Sequence, residues 1–307
     1  MSFRIVVVGD IHDYWEHEHD LKALRCLNPD IVLFTGDFGN ENVELVRGIA
    51  AGVDIPKAAI LGNHDSWSTS KFTSKVKDGV QLQLESFGEQ HVGYNRLHFP
   101  AFKLSVVGGR PFSCGGDQLF RKKLLTKRYG VHNMEESAQK IHQAALDIPE
   151  EHSIVVPAGL GSNQDDICGK DWDNEGGDHG DRDLAQAISL IKETNKNPIP
   201  LVVFGHMHKQ LENGCCRKML AIGGDKTVYL NAAIVPRVKH PSFGGSSRAF
   251  TVVEFCDGEI IKVVETWVLV STDGKTSLGE EDVLFSREFS TDGKTSLGIS
   301  KLVPIAG

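Results

Sequence analysis

Short runs of apolar, largely β-branched residues recur along this 307-residue chain, and several of them stop abruptly at glycine or proline. Continuous apolar runs of this length are typical of strands in sheets that are covered on both faces. The sequence therefore predicts a fold built on buried β-sheet. The predicted strands span residues 4–9, 30–36, 57–62, 103–108, 153–156, 201–205, 227–231, 250–255 and 259–270.

Helix-like segments lie between these strands. They span residues 17–27, 41–51, 134–147 and 181–195. The last one opens with Asp181 and Asp183, and acidic residues suit a helix N-terminus. Strands alternate with helices through residue 208 and mostly strands follow, which predicts an α/β sandwich whose later strands complete a second sheet. The polar, glycine-rich segments 111–133 and 157–180 are predicted to be loops near a site.

One domain is expected to span residues 1–270, followed by a C-terminal tail at 271–307. The tail contains the segment STDGKTSLG twice, at 271–279 and at 290–298. Two copies are too few for a stacked repeat architecture. Asp-Gly is a strong turn signal, so we interpret the segment as a peripheral turn repeated by local duplication or a sequence irregularity. A Walker-type phosphate loop is not expected, because the preceding glycine of that motif is missing.

Charge and composition exclude several classes of partner. A net charge of −8 and a pI near 5.9 give no global attraction to nucleic acid or anionic lipid. No apolar run is long enough to cross a membrane, and the first apolar run is too short for a signal peptide. Six cysteines without a C-x-x-C pair suggest reduced thiols. We therefore expect a soluble, intracellular protein, cytoplasmic or, if a transit peptide has been removed, plastidic.

Four predicted strand ends carry side chains that commonly bind metals. The groups are Gly9-Asp10-Ile11-His12, Gly36-Asp37, Gly62-Asn63-His64-Asp65 and Gly205-His206-Met207-His208. A glycine lets the chain turn sharply at the sheet edge and present the next side chains to a cleft. In extended backbone, residues i and i+2 point the same way, so each D-x-H or H-x-H pair can converge. Carboxylate, amide and imidazole ligands together favour Mn, Fe or Zn over calcium.

In this order, D-x-H, G-D, G-N-H-D and G-H-x-H resemble the calcineurin-like metallophosphoesterase superfamily over about two thirds of the chain. Phrases at 108–113, 166–172, 177–181 and 231–237 resemble a branch of it found in cyanobacteria and plants. The resemblance implies a four-layer αββα sandwich, an α/β fold with two mixed β-sheets flanked by helices. It also implies a hydrolase that cleaves the phosphomonoester or phosphodiester bond of a small substrate.

The resemblance further implies a dinuclear metal centre and a role for each site residue. Asp10, His12 and His208 would hold the first ion, Asp37 would bridge both, and Asn63 and His206 would help hold the second. His64 would protonate the leaving-group oxygen or steady the phosphate, and Asp65 would orient His64. Two such ions, Mn, Fe or Zn, would activate a water and clamp both the attacking and the leaving oxygen.

One departure from the family pattern affects the second ion. Members usually carry a further ligand histidine after a strand that corresponds to 153–156, but here that strand runs into 157–162 without a histidine. His152 precedes the strand, at its wrong end. The second ion loses a ligand unless His179 or Asp178 folds back to replace it. The alternative function is therefore a metal-binding interaction protein with the same fold and reduced or no catalysis.

Several residues keep two interpretations at this stage. Arg110 is a candidate substrate-binding residue that could hold a phosphate with two hydrogen bonds, or could form a structural ion pair. His179 is a second candidate for contact with the substrate. Trp15 and Trp172 either line the cleft or pack in the core or in loops. The basic residues of 121–128 either form a solvated face or attract an anionic substrate. The fold does not choose among phosphatases, nucleotide hydrolases and nucleases, and the sequence does not indicate an oligomeric state.

Overall fold

The computed structural model describes residues 1–70, 76–156, 163–173, 175–242, 244–289 and 295–298. Its helices are α1 (His17–Leu27), α2 (Val43–Gly52), α3 (Gly79–Phe87), α4 (Lys122–Tyr129), α5 (Met134–Ala144) and α6 (Arg182–Thr194). Within this described part of the chain, none of the helices is both long enough and apolar enough to cross a membrane.

The first sheet has the strand order β14-β13-β12-β11-β1-β2-β3, with β10 also paired to β11. Its strands are β1 (Ser2–Val8), β2 (Ile31–Phe34), β3 (Lys57–Ala59), β10 (Val238–Lys239), β11 (Ser246–Cys256), β12 (Glu259–Val270), β13 (Thr276–Phe289) and β14 (Thr295–Gly298). β1, β2 and β3 are parallel, whereas the pairs formed by β10 to β14, and the pair of β1 with β11, are antiparallel. The first sheet is therefore mixed.

The second sheet has the order β4-β5-β6-β7-β9-β8. Its strands are β4 (Arg96–Phe99), β5 (Leu104–Val107), β6 (Ser153–Val156), β7 (Leu201–Phe204), β8 (Leu220–Ile222) and β9 (Val228–Asn231). The four central strands are parallel, and β4 and β8 close the two edges in antiparallel orientation. The second sheet is therefore also mixed.

Strand β1 shows why the molecule has four layers. Phe3, Ile5 and Val7 lie in a core that they share with β5, β7 and β9 of the second sheet. The alternate residues Val6 and Val8 lie in a core that they share with residues of α1 and α2. Successive side chains of a strand point to opposite faces, so each sheet packs on the other sheet and on helices. The predicted four-layer α/β sandwich with two mixed sheets is confirmed.

The helices cover the outer faces with apolar stripes. In α6 the buried residues Leu184, Ala187, Ile188 and Ile191 recur at intervals of three and four. That spacing places them on one side of a helix with 3.6 residues per turn. The same core contains Val202, on the outer face of the second sheet. Amphipathic periodicity thus explains why the predicted helix segments were found with only small shifts at their ends.

The prediction of a loop over 111–133 is wrong in part, because α4 lies within it. Leu124 and Leu125 are fully buried, and Gly130 ends the helix with a φ of +69°. Two buried residues flanked by basic side chains give only a weak helical pattern in the sequence. Arg128 belongs to the basic segment that is predicted to form a solvated face or to attract an anionic substrate, and it pairs with Asp78 at 2.6 Å.

The domain boundary at residue 270 stays a prediction, and the residues after it extend the first sheet. β13 pairs with β12 from Thr276 to Ser286, and Phe285 is buried in the core between the sheets. The first copy of the duplicated segment begins with a turn, in which the N–H of Ser271 donates to the carbonyl of Lys275. Its Asp-Gly turn is thereby confirmed. In the second copy, residues 290–294 lie outside the described residues.

His91 is a packing residue that fixes the loop leading into the candidate site. Its Nε2 accepts the backbone N–H of Leu61 at 3.3 Å, and its side chain is buried. Burial lowers the pKa of His91 to about 4. Leu61 immediately precedes Gly62 and Asn63, so this hydrogen bond connects the core to the site.

We expect His91 to make the protein less stable at low pH. Its folded-state pKa of about 4 lies below the ordinary value of about 6.5, so protonation favours unfolding. The contribution of neutral His91 is complete above pH of about 6.5 and decreases, by up to about 3 kcal/mol, as pH falls toward 4. Urea unfolding of wild type and His91→Gln should show free energies that converge as pH falls. A constant difference from pH of about 7.5 to 4.5 would contradict this assignment.

Candidate metal centre

The loops that follow β1, β2 and β7 bring the predicted ligands to one edge of the sandwich. Asp10, His12, Asp37 and His206 all have left-handed backbone conformations, with φ between +46° and +72°. Such conformations are unfavourable for residues with a side chain and persist where the surroundings hold them. Backbone hydrogen bonds join the first two loops, from Asp10 N–H to Gly36 at 3.2 Å and from His12 N–H to Asp37 at 2.9 Å.

Asp10, His12 and His208 form the first cluster. Their ligand atoms all lie within 4.8 Å of one another. His208 Nε2 lies 3.3 Å from Asp10 Oδ2 and 3.1 Å from His12 Nε2. One carboxylate oxygen and two imidazole nitrogens therefore point toward a common centre. This donor set fits a divalent transition metal ion such as Zn, Mn or Fe.

Asp37, Asn63 and His206 form the second cluster. His206 Nδ1 lies 3.8 Å from Asp37 Oδ2. The Asn63 amide lies 3.1 Å from that Asp37 oxygen and 3.0 Å from His206 Nδ1 when its nitrogen faces them. In the opposite orientation the amide oxygen would face the Asp37 carboxylate and His206 Nδ1, and a proton on Nδ1 or a cation would have to lie among them. Carboxylate, amide oxygen and imidazole nitrogen together also fit a metal ion.

The two clusters are in direct contact. Both carboxylate oxygens of Asp10 accept the backbone N–H of His206, at 2.9 and 3.0 Å. Asp10 of the first cluster thus fixes the backbone position of His206 in the second. The Asp37 carboxylate likewise accepts the backbone N–H of His64 at 2.9 Å, so all four strand ends are linked.

The electrostatics of the site favour positive charge. Burial opposes ionisation of Asp10, but hydrogen bonds with His12 and His208 hold its pKa well below the usual range. Burial also opposes charge on His12, whose pKa is nevertheless raised by Asp10. The pKa of His206 is raised in the same way, by Asp37 against burial. Protons and cations therefore compete for the same nitrogen atoms.

His64 lies beside the first cluster and is held by two neighbours. Its ring meets that of His12 edge to face, with centroids 4.8 Å apart, and stacks on Trp67 at the same distance. Its Nδ1 lies 2.7 Å from Asn40 Oδ1, so Nδ1–H donates to that oxygen. Burial lowers the pKa of His64, and the Asp37 charge partly offsets this.

Asp65 does not occupy the orienting position that the family resemblance implied. Its carboxylate accepts the backbone N–H groups of Phe38 at 3.0 Å and Gly62 at 2.8 Å. Asp65 thereby joins the loop of Asp37 to the loop that carries His64. Burial, together with the nearby Asp37 charge, raises the pKa of Asp65 well above its usual range. The group that orients His64 is Asn40.

Arg110 forms the structural ion pair that the sequence left open as one alternative. Its side chain is fully buried, its Nε lies 2.9 Å from Asp183 Oδ2, and it also pairs with Asp181. The residue lines the same cavity as Asp37 and His206. Its Nη1 has no hydrogen-bond partner among the described residues. Contact with a substrate stays a prediction for Arg110.

His179 returns to the second cluster from the long loop after β6. Its ring centroid lies 6.4 Å from that of His206, and both residues line one cavity. The ring lies against Gly115 and Gly116, where an added Cβ would come within 2.8 and 3.1 Å of it. Asp178, the other possible replacement ligand, accepts the N–H of Gly180 at 2.8 Å. The segment 157–162, where the family histidine is missing, lies outside the described residues.

The structure also shows where Trp15, Trp172 and the start of the basic segment 121–128 lie. Trp15 packs in the core, edge to face with Phe34. Trp172 is exposed and meets His179 edge to face at 4.9 Å. Arg121 Nη2 donates to the carbonyl oxygen of Trp67 at 2.6 Å, so the basic segment begins at the rim of the site.

Sequence reasoning missed Asn40 as a site residue. Its position three residues after Asp37, on the loop that follows β2, was the available signal. An amide side chain beside a metal-ligand loop could have been considered as a partner for His64. The contact itself joins two different loops, so no local spacing predicts it.

Comparison with known proteins identifies a family and a fold. The model of a family described as calcineurin-like phosphoesterase matches residues 3–210. The structure of PhoD has a TM-score of 0.51 at 10% identity, and the match covers 98% of this chain and 72% of that one. A dimetal phosphatase from Danio rerio gives 0.48 at 11% identity, covering 92% of this chain and 98% of the other.

One further solved structure is similar to this chain. Purple acid phosphatase PPD1 from yellow lupin gives a TM-score of 0.48 at 12% identity, covering 92% of this chain and 53% of the other. The comparison with curated proteins gives no match. At these identities, the likeness to PhoD shows a shared fold and no more.

We expect Asp65 and Asn40 to differ in what they support. Asp65→Ala leaves buried N–H groups of two loops without an acceptor and should lower the free energy of unfolding by at least about 3 kcal/mol. Asn40→Ala should change it by less than about 1 kcal/mol, because the contact with His64 is partly exposed. Chemical denaturation of both variants measures this difference. Equal losses of stability would contradict the assigned roles.

Proposed function

Since the chain belongs to the calcineurin-like phosphoesterase family, we propose that it hydrolyses phosphomonoesters or phosphodiesters at a dinuclear metal centre. The observation that carries the proposal is the pair of adjoining clusters of carboxylate, imidazole and amide side chains, Asp10 with His12 and His208, and Asp37 with Asn63 and His206. Membership of the family supports a metal-dependent phosphoesterase in general. The finer kinship, with a branch found in cyanobacteria and plants, rests on the sequence phrases alone.

In this proposal each cluster holds one ion. Asp10, His12 and His208 hold the first, Asn63 and His206 help hold the second, and Asp37 serves both. Bound ions would lower the pKa of a water molecule and neutralise charge on the phosphate oxygens. The ions we expect are Mn, Fe or Zn, because the ligands mix oxygen and imidazole nitrogen.

His179 completes the second ligand set in place of the missing histidine. Its ring lies beside that of His206, and the wall formed by Gly115 and Gly116 restricts where it can move. Trp172 supports its other side. A small rotation toward Asn63 and Asp37 would bring an imidazole nitrogen to the second ion. This substitution favours the enzyme over the alternative of a non-catalytic metal-binding interaction protein.

His64 supplies the proton for the leaving group. Asn40 accepts the proton on Nδ1, so Nε2 faces the substrate, and the general acid is the imidazolium form, which gives its Nε2 proton to the leaving oxygen and becomes neutral imidazole. Stacking on Trp67 fixes the plane of the ring. A positioned imidazole of this kind contributes roughly 10²- to 10⁴-fold to a rate by general acid catalysis.

We expect the metal content to report each cluster separately. Wild type purified with Mn²⁺ should contain two ions per chain by elemental analysis. Asp37→Asn should lose both ions or bind them far more weakly, and His179→Ala should lose only the second. Asp178→Asn, at the neighbouring position, is the matched control and should keep both. Full occupancy in His179→Ala would show that another residue fills the position.

We expect His64→Ala to separate catalysis from metal binding. The variant should keep its ions, because the His64 side chain is not a ligand in this account, and should lose roughly 10²-fold or more in kcat. Asn40→Ala should show a smaller loss, since it removes only the orienting contact. The assay is turnover of an aryl phosphate and a bis-aryl phosphate with added Mn²⁺. Metal-loaded wild type that turns over neither ester would support the interaction-protein alternative.

A further inference from the structure

Two of the most exposed aromatic side chains of the described residues contact histidines of the proposed site. Tyr14, Trp67 and Trp172 are 60%, 54% and 51% exposed, respectively. Tyr14 follows His12 and Asp13 in the chain, Trp67 stacks on His64, and Trp172 contacts His179. Large apolar surface left exposed in a cluster commonly marks a binding site.

Trp67 is held rigidly while most of its ring faces solvent. Its backbone N–H donates to the backbone carbonyl of His64 at 3.1 Å, and its own backbone carbonyl accepts a hydrogen bond from the Arg121 side chain. Its ring lies nearly parallel to the His64 imidazole, at an interplanar angle of 15°. A flat ring stacked beside the proposed proton donor offers a face next to the position of the leaving group.

The chain segment that precedes Trp172 is held by a buried arginine. Arg217 is 4% exposed, pairs with the neighbouring Asp171 at 2.8 Å, and donates to the carbonyl of Gly169 at 2.6 Å. The neighbouring backbone is therefore held before a ligand binds, and the Trp172 ring contacts His179 at 4.9 Å. Preorganised aromatic surface binds flat ligands with little loss of conformational entropy.

The two tryptophans flank the centre from different sides. Trp67 is connected to the first cluster through His64 and His12, whose rings are in contact. Trp172 is connected to the second cluster through His179 and His206. A phosphoester bound between the two clusters would therefore have an exposed aromatic side chain near either cluster.

We propose that the natural substrate is a phosphoester whose leaving group carries a planar aromatic ring, which stacks on Trp67 or Trp172. This inference rests on the proposed hydrolytic function and adds the class of substrate to it. A nucleobase and a simple aryl ring share the required chemistry. Stacking of one base on an aromatic side chain changes affinity by roughly five- to 150-fold, which is enough to discriminate against an aliphatic ester.

The test compares pairs of esters in which only one member carries an aromatic ring. The leaving oxygens of the two members are nearly equal in reactivity. Adenosine 5′-phosphate is paired with ribose 5-phosphate, and benzyl phosphate with cyclohexylmethyl phosphate. Methyl diesters of the same four compounds cover diesterase activity. The full chain loaded with Mn²⁺ is used, and kcat/KM is measured for each member. The first pair reports a nucleobase and the second an aryl ring.

Wild type should prefer the aromatic member of at least one pair by roughly tenfold or more, mainly through KM. Trp67→Leu or Trp172→Leu should reduce that preference several-fold, and the matching Phe variant should restore much of it. Trp267→Leu is the matched control. Trp267 lies on β12, where its ring contacts Lys239, and its replacement should leave the preference unchanged.

The aromatic-substrate inference and the proposed hydrolase function would be contradicted by different results. Equal efficiency for both members of both pairs, or a preference that survives in both Leu variants, contradicts the aromatic-substrate inference and leaves the hydrolase in place. Turnover of no ester by the metal-loaded wild type contradicts the proposed function itself, and the inference falls with it.

Discussion

The structure depends on the buried Asp10 carboxylate and the groups that neutralise it. Asp10 is 1% exposed, and both its oxygens accept the backbone N–H of His206 while two imidazoles approach it. An uncompensated charge at such a site would be strongly unfavourable, so these contacts must persist. They also explain how Asp10 and His206 keep unfavourable left-handed conformations. Bound cations would complete the compensation that protons on the histidines otherwise provide.

Around this carboxylate, further side chains fix the loops that carry the proposed ligands. Asp65 joins the loop of Asp37 to that of Asn63, and His91 ties the latter loop to the core. Such supporting contacts determine the precision of a metal site as much as its ligands do. The flanking aromatics extend the same rigid arrangement outward, where the organic part of a substrate would bind.

Much of this architecture follows from local sequence patterns. Buried strands and amphipathic helices have periods of two and 3.6 residues, and glycine at the strand ends signals sharp turns, so the sandwich and the position of Asp10 and Asp37 were predictable. α4 was not, because Leu124 and Leu125 alone give too weak a period. β13 was missed because its acidic residues interrupt the apolar pattern. The contact of His64 with Asn40 joins separate loops, and spacing within one loop does not encode it.

The central claim is that the two clusters are two halves of one metal centre. Crystals grown with Mn²⁺ and measured near the manganese absorption edge test it most directly. We expect two anomalous peaks, one among Asp10, His12 and His208 and one among Asp37, Asn63 and His206, with His179 turned toward the second. A single peak, or peaks elsewhere in the molecule, would contradict it.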